Sequence, residues 1–339
     1  FYTNRSRRLN YGVGAFHIPT LYSQLYFDPV FGTVLVEQRI FRTQSTVRAS
    51  YPLSQTRRIE LSAGGTRYGF DVRARAAGPT GLRELDADQL PLTEPETIYL
   101  ANAGLAYVGD FSNFGFVSPL QGGRYRFQVT PHVGTRSFVS VLADYRRYFF
   151  LEPVTVAFRG VHVGNYGAAR ENLTDDISDS FVRETLGDPY QLAFVRGYAF
   201  SSVLNEPACR LANNCDLDRL YGSRVAVGSV ELRLPFLGTE ALGLLRFPYL
   251  PTELVLFTDA GVAWTGEDLR SLTFTTTVPE EAAGATGDAL RPLQARPVVS
   301  SGMSARINLL GAVVLEMFYA RTFQRTRDWD FGIILRPGW

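Results

Sequence analysis

Lysine is absent: all 34 basic residues of this 339-residue chain are arginines, set against 33 Asp and Glu, for a formal net charge of +1. So neutral a chain lacks the positive excess by which nucleic-acid binders gather phosphates. Two cysteines and three histidines leave little material for metal or nucleophile chemistry. No run of about 18 apolar residues occurs, so a transmembrane helix is excluded. The chain opens on Phe1 without a basic-then-apolar leader, so a signal peptide has been removed or the chain starts internally. What is abundant is aromatic and small: 24 Phe, 17 Tyr and 31 Gly, in a chain 45% hydrophobic and 20% charged. Those averages exclude disorder, collagen and coiled coil.

Helical spacing is scarce and period two is widespread. Near the end, Trp329, Phe331, Ile333 and Leu335 share one parity, while Asp330, Gly332, Ile334 and Arg336 share the other. Over 224–236, Ala226, Val230, Leu232, Leu234 and Phe236 oppose Ser229, Glu231 and Arg233. Over 123–133, Tyr125, Phe127, Val129 and Val133 oppose Arg124, Arg126, Gln128 and Thr130. One apolar and one polar face per segment is the mark of a two-sided strand. The polar face suits a solvated sheet or a water-filled barrel lumen.

Connections separate these options. Some are short (Pro52–Arg57, Tyr148–Pro153, Leu309–Ala312), and others are long and polar (74–96, 167–223, 265–299). Strands are predicted near 8–18, 33–51, 58–73, 97–109, 122–134, 137–148, 153–165, 224–236, 252–264, 300–309, 313–323 and 329–338, with room for a further hairpin around Asp28-Pro29. Most exceed the usual five or six residues and match the roughly 9–11 that cross a bilayer when tilted. Long strands with short turns on one side and long loops on the other predict an all-β, transmembrane antiparallel barrel of about 12 strands, not a soluble β-sandwich. Tyr145, Tyr148, Phe149, Phe150, Phe247 and Tyr249 are expected to form its interfacial aromatic girdles. The whole of 1–339 reads as one barrel domain.

Three stretches go beyond periodicity: Phe194-Val195-Arg196-Gly197-Tyr198 within the long loop, Arg224 to Phe236 followed by Phe257-Thr258-Asp259-Ala260-Gly261-Val262-Ala263-Trp264, and the terminal Arg336-Pro337-Gly338-Trp339. In this order they resemble the bacterial surface antigen barrel of the BamA/TamA superfamily of outer-membrane assembly and translocation proteins. The resemblance spans about 42–339 and is tightest from 194 onward. Gly109-Asp110-Phe111-Ser112, Asp144-Tyr145-Arg146-Arg147-Tyr148 and Ser50-Tyr51-Pro52-Leu53-Ser54 look like a subgroup often linked to periplasmic propeller domains.

The resemblance implies that loop 167–223 folds back into the lumen and that the Val195-Arg196-Gly197-Tyr198 tip docks on the barrel wall. Arg196 would meet Glu231 and Asp259, whose parities independently point inward. The family barrel has 16 strands preceded by periplasmic POTRA modules; the 12 strands here correspond to its last 12, with no such module, so the chain is expected to be a fragment or a smaller barrel with a different seam. In an exported protein, Cys209 and Cys215 read as a loop-closing disulfide, stabilising by about 2–3 kcal/mol. Phe331 and Trp339 lie on the terminal strand, whose closing aromatic would be read as a sorting signal by the barrel assembly machinery.

Enzyme signals are weak. His17, His132 and His162 lie on different strands, and neither Gly-x-Ser-x-Gly nor a P-loop occurs. Asp175, Asp176 and Asp179 with Asn172 form an acidic loop cluster of the kind that is usually solvated. The expectation is a non-enzymatic protein without cofactor or metal, in the bacterial outer membrane. It would assist insertion or translocation of proteins or lipids, or alternatively anchor a larger periplasmic or cell-surface complex. Outer-membrane lipid, lipopolysaccharide and the assembly machinery would be its partners, and nucleic acid would not. A passive pore is disfavoured because the long loop would plug it.

Overall fold

The computed structural model describes residues 1–28, 32–78, 81–85, 95–167, 183–205, 218–240, 242–247, 249–266, 296–325 and 327–337. Period-two patterning becomes twelve long strands: β1 (Asn10–Asp28), β2 (Gly32–Pro52), β3 (Arg57–Gly78), β4 (Ile98–Asp110), β5 (Pro119–Gly134), β6 (Phe138–Leu151), β7 (Val154–Tyr166), β8 (Arg224–Gly238), β9 (Thr252–Trp264), β10 (Val298–Leu309), β11 (Val313–Thr322) and β12 (Trp329–Pro337). They pair antiparallel in chain order within one sheet. A short strand, Tyr2–Asn4, adds to β1 opposite Tyr11–Val13. Among the described residues the pairing is an open path, and no ladder joins Tyr2–Asn4 or β1 to β12. No helix among them is long and apolar enough to cross a membrane, which says nothing about crossing by strands.

The first predicted strand is longer than its pattern suggested. Residues 19–28 continue β1 opposite Gly32–Phe41, so the residues on either side of Pro29 belong to two strands already counted and not to a further hairpin. Pro19 is tolerated because at that level β1 is paired, among the described residues, only with β2, leaving one edge without need of its missing N–H.

Alternation sorts side chains into lipid and lumen. On β9, Leu254 and Leu256 face out, whereas Glu253, Asp259 and Phe257 are buried inside. On β12, Phe331, Ile333 and Leu335 face out while Asp330 and Ile334 are buried. An outer surface of large apolar side chains is stable only against hydrocarbon, and the ladders between neighbouring strands supply backbone partners that lipid cannot. Tyr145, Phe149, Phe247 and Tyr249 are exposed on this barrel, but Tyr148 is only 3% exposed. It shares a parity with Asp144 and Arg146 and points into the lumen, so it is not a girdle residue.

β1–β3 run to 19, 21 and 22 residues, well past the length a bilayer needs. Beyond the apolar band their outer face turns charged without any slip of register: Arg73 lies 3.2 Å from Asp71, Arg75 3.3 Å from Glu37, and Arg39 3.9 Å from Asp71. The opposite face there is apolar, with Val34, Val36 and Ala74 buried under Leu85 of the strand Gly81–Leu85. The polarity of the sheet inverts where it leaves the membrane.

The sheet curls. The β4–β5 connection, 111–118, and the first residue of β5 reach strands three and four positions beyond β5: Arg233 on β8 donates to the Pro119 carbonyl at 3.3 Å, and Ser118 Oγ donates to Glu253 Oε1 on β9 at 2.8 Å. That connection is thereby tied to the inner wall of β8 and β9. From the other end of the barrel the described parts of the 167–223 loop enter and pack against the inner wall, with Val195 on Val161, Val225, Ala263 and Val298.

Candidate functional site

The loop tip is seated by apolar side chains on either side of one arginine. Phe194 packs with Val255, Phe257, Phe318 and Ile334, and meets Phe318 edge-on at 6.4 Å. Val195 is fully buried with Leu186, Tyr198, Val225, Val227 and Val298. Gly261 on β9 makes room for it, since a Cβ there would stand 2.6 Å from Val195 Cγ2. Gly197 turns the chain at φ +89°, and its own Cβ would meet Thr322 Cγ2 at 2.7 Å.

Between these anchors Arg196, 5% exposed, reaches carboxylates on three strands. Its Nε donates to Asp259 Oδ2 at 2.7 Å and its Nη2 to Asp259 Oδ1 at 2.8 Å, a bidentate fork. Nη1 donates to Glu316 Oε1 at 3.1 Å, and Nη2 lies 2.8 Å from Glu231 Oε1. The Arg196 backbone N–H also donates to Asp259, at 3.3 Å. Below the guanidinium lies the Phe257 ring, its centroid 3.6 Å from Cζ.

The carboxylates are in turn held by the wall's own arginines. Arg306 donates to both oxygens of Glu231, at 3.0 and 2.7 Å, and to Glu316 at 3.1 Å. Arg233 donates to Glu231 at 2.8 Å and Ser304 to Glu316 at 3.2 Å. Burial works against the Arg196 charge, but Asp259, Glu231 and Glu316 more than offset it, so the guanidinium holds its proton beyond its ordinary range. Buried ions of this kind cost desolvation that only complete pairing repays, and here the pairing is dense.

A second hold follows the first. The Tyr198 hydroxyl donates toward Gln324 Oε1 at 2.7 Å or the Val299 carbonyl at 3.1 Å, and accepts from the Gln324 N–H at 3.2 Å. Arg325 donates to the Gly197 carbonyl, and to Ser202 Oγ at 3.0 Å. Ser202, on the one-turn helix Phe200–Leu204, donates to Asp330. The β11–β12 connection thus grips the loop just after its arginine.

The structure brings Arg196, Glu231 and Asp259 together, with Val195, Gly197 and Tyr198 around them. Sequence reasoning missed Glu316, Arg306 and Phe257. A signal existed for Glu316, a lone acid in an otherwise apolar stretch, but 313–319 is apolar on both parities and does not itself say which face is inner. Phe331 is 58% exposed on the outer face; Trp339, Cys209, Cys215, Asn172, Asp175, Asp176 and Asp179 lie outside the described residues. His17 faces out beside Phe41 and Thr43, whereas His132 stacks on Phe138 at 4.4 Å and His162 on Trp264 at 5.6 Å. Among the described residues no three metal-ligating side chains cluster. What the arrangement does chemically is lock a loop inside a lumen.

No family model and no curated protein sequence matches the chain. Among solved structures, BamA from Haemophilus ducreyi lacking POTRA domains 1–3 superposes with a TM-score of 0.54 at 13% identity, over 97% of this chain and 64% of that one. CdiB from Acinetobacter baumannii superposes with a TM-score of 0.52 at 14% identity, over 97% of this chain and 47% of that one. The chain therefore spans less than two thirds of either structure. The fold is the antiparallel β-barrel that these structures share.

Proposed function

We propose that this barrel resides in the bacterial outer membrane and assists insertion or translocation of proteins or lipids there, without catalysing a covalent reaction. The observation that carries the reading is the Arg196 latch: a loop drawn into the lumen and tied by one buried guanidinium to β8, β9 and β11. A latch on one half of the wall keeps β8–β12 rigid while the sheet opens elsewhere, and the seam between its first and last strands is where opening needs fewest broken ladders. The likeness to BamA and CdiB supports the same reading at the level of fold. The test is a liposome assay in which the reconstituted barrel and its Arg196→Ala variant are added to a urea-unfolded small outer-membrane barrel. Faster client folding with the parent, lost or reduced with the variant, supports assisted insertion; no acceleration by a folded parent rejects it.

A second reading has its own observation. The charged outer face that β2 and β3 carry past the apolar band, with Glu37, Arg39, Asp71, Arg73 and Arg75, suits a barrel that anchors a larger complex. Copurification of a stoichiometric partner, lost when these charges are reversed, would favour anchoring.

A further inference from the structure

Three arginines stand directly opposite one another on the inner wall. Arg124 on β5 faces Arg146 on β6, and Arg146 faces Arg159 on β7. Like charges in register on neighbouring strands repel, so a wall that keeps three of them needs anions among them. Asp144 is one. It accepts from Arg146 at 2.6 and 3.1 Å but from Arg159 only at 3.4 and 3.5 Å. Asp110 stands 3.8 Å from Arg124. Across the lumen, Arg336 on β12 lies 3.6 Å from Glu316, whose other oxygen already serves Arg196 and Arg306. The contrast with the latch is plain: Arg196 and Arg306 are paired at 2.7–3.1 Å, while Arg159 and Arg336 are held at arm's length.

Arg146, Arg159 and Arg336 all line one lumenal cavity of about 330 Å³, with Tyr190 and Gln191 of the inserted loop on its border. Its other charged walls are Arg196, Arg233, Arg306, Glu231, Asp259 and Glu316, the latch itself. Around this confined volume Arg159 and Arg336 are two guanidinium groups whose carboxylate contacts are all 3.4 Å or longer. A carboxylate ligand would neutralise one of them. A phosphate monoester, carrying about −1.5 to −2 near neutral pH, matches both, and its oxygens suit guanidinium forks.

We propose that this cavity binds a phosphoryl group, with Arg146, Arg159 and Arg336 as its ligands. The group comes from a soluble phosphate ester or from a lipid headgroup, and the two sources share the same recognition chemistry. Binding would be measured calorimetrically on the full chain in phosphate-free detergent, with glycerol 1-phosphate and a short-chain phosphatidic acid as probes. Saturable binding of the soluble ester assigns a soluble source, and binding of the lipid probe alone assigns a headgroup. In either case Arg159→Gln and Arg336→Gln each weaken binding by roughly tenfold or more, as loss of a charge-assisted bond implies. Arg58→Gln, on the inner wall but away from the cavity, leaves it unchanged. Each variant is first shown to be folded by its heat-modifiable gel mobility, and Arg336→Gln alone decides if Arg159→Gln does not fold. Neither probe binding above chloride of matched ionic strength overturns the proposal, as does equal affinity in the folded cavity variants or an equal loss with Arg58→Gln.

Discussion

Arg196 and Asp259, 63 residues apart, are joined by three hydrogen bonds: a guanidinium fork at 2.7 and 2.8 Å and a backbone N–H at 3.3 Å. The fork fixes the orientation of the side chain, and the N–H fixes the height of the loop against β9. One strand residue thereby sets both the position and the angle of the loop tip.

Arg196→Ala removes the cation and leaves Asp259, Glu231 and Glu316 facing one another. Stability is expected to fall by about 3–5 kcal/mol, read from urea unfolding in detergent. Arg196→Lys keeps the charge but not the fork, and recovers only part of the loss. Equal stability of Arg196→Ala and the parent would show that the latch contributes nothing.

Glu316 is coupled to Arg196 through a bond at 3.1 Å. A double-mutant cycle between Arg196→Ala and Glu316→Ala is expected to give an interaction energy of about 1–3 kcal/mol. Additive losses would assign Glu316 to Arg306 alone.

Gly197→Ala meets two obstacles, the positive φ and Thr322 Cγ2 at 2.7 Å. A cost of about 1–3 kcal/mol is expected from the backbone conformation, together with faster protease cleavage within 183–205. An unchanged cleavage pattern would mean that the tip tolerates a side chain and docks otherwise.

Burial pushes the Tyr198 hydroxyl from its ordinary 10.0 up to about 12, partly opposed by the charges of Arg219 and Arg325. The folded protein therefore binds the proton more tightly than the unfolded chain. The stability this contributes is complete below pH 10 and is lost as pH rises towards about 12, by about 2–3 kcal/mol. Tyr198→Phe is expected to flatten that segment of the unfolding-versus-pH curve; a curve identical to the parent's would assign the alkaline loss to another group.

Leu256 is 57% exposed on the outer face, between Val255 and Phe257 that point inward. Leu256→Arg is expected to cost about 2–4 kcal/mol if the residue lies near the bilayer midplane, measured by refolding into lipid vesicles. A neutral result would place Leu256 outside the hydrocarbon.

Much of this molecule is decided locally. Lipid on one side and a polar lumen on the other impose period two, so alternation makes most of the long strands visible, and with them the inward parity of Glu231 and Asp259. The Val195-Arg196-Gly197-Tyr198 motif is legible through the family resemblance it carries, and not through any local period. Tertiary structure decided what alternation leaves open. Val314, Glu316 and Phe318 share a parity against Leu315, Met317 and Tyr319, apolar on both sides, and only the curl of the sheet makes the first set inner. Arg306 meets Glu231 although 75 residues separate them, and Tyr148 leaves the girdle because its neighbours in register, Ala157 and Gly122, place it on the lumenal face. Contacts across a lumen depend on which strands closure sets opposite one another, and no local period carries that information.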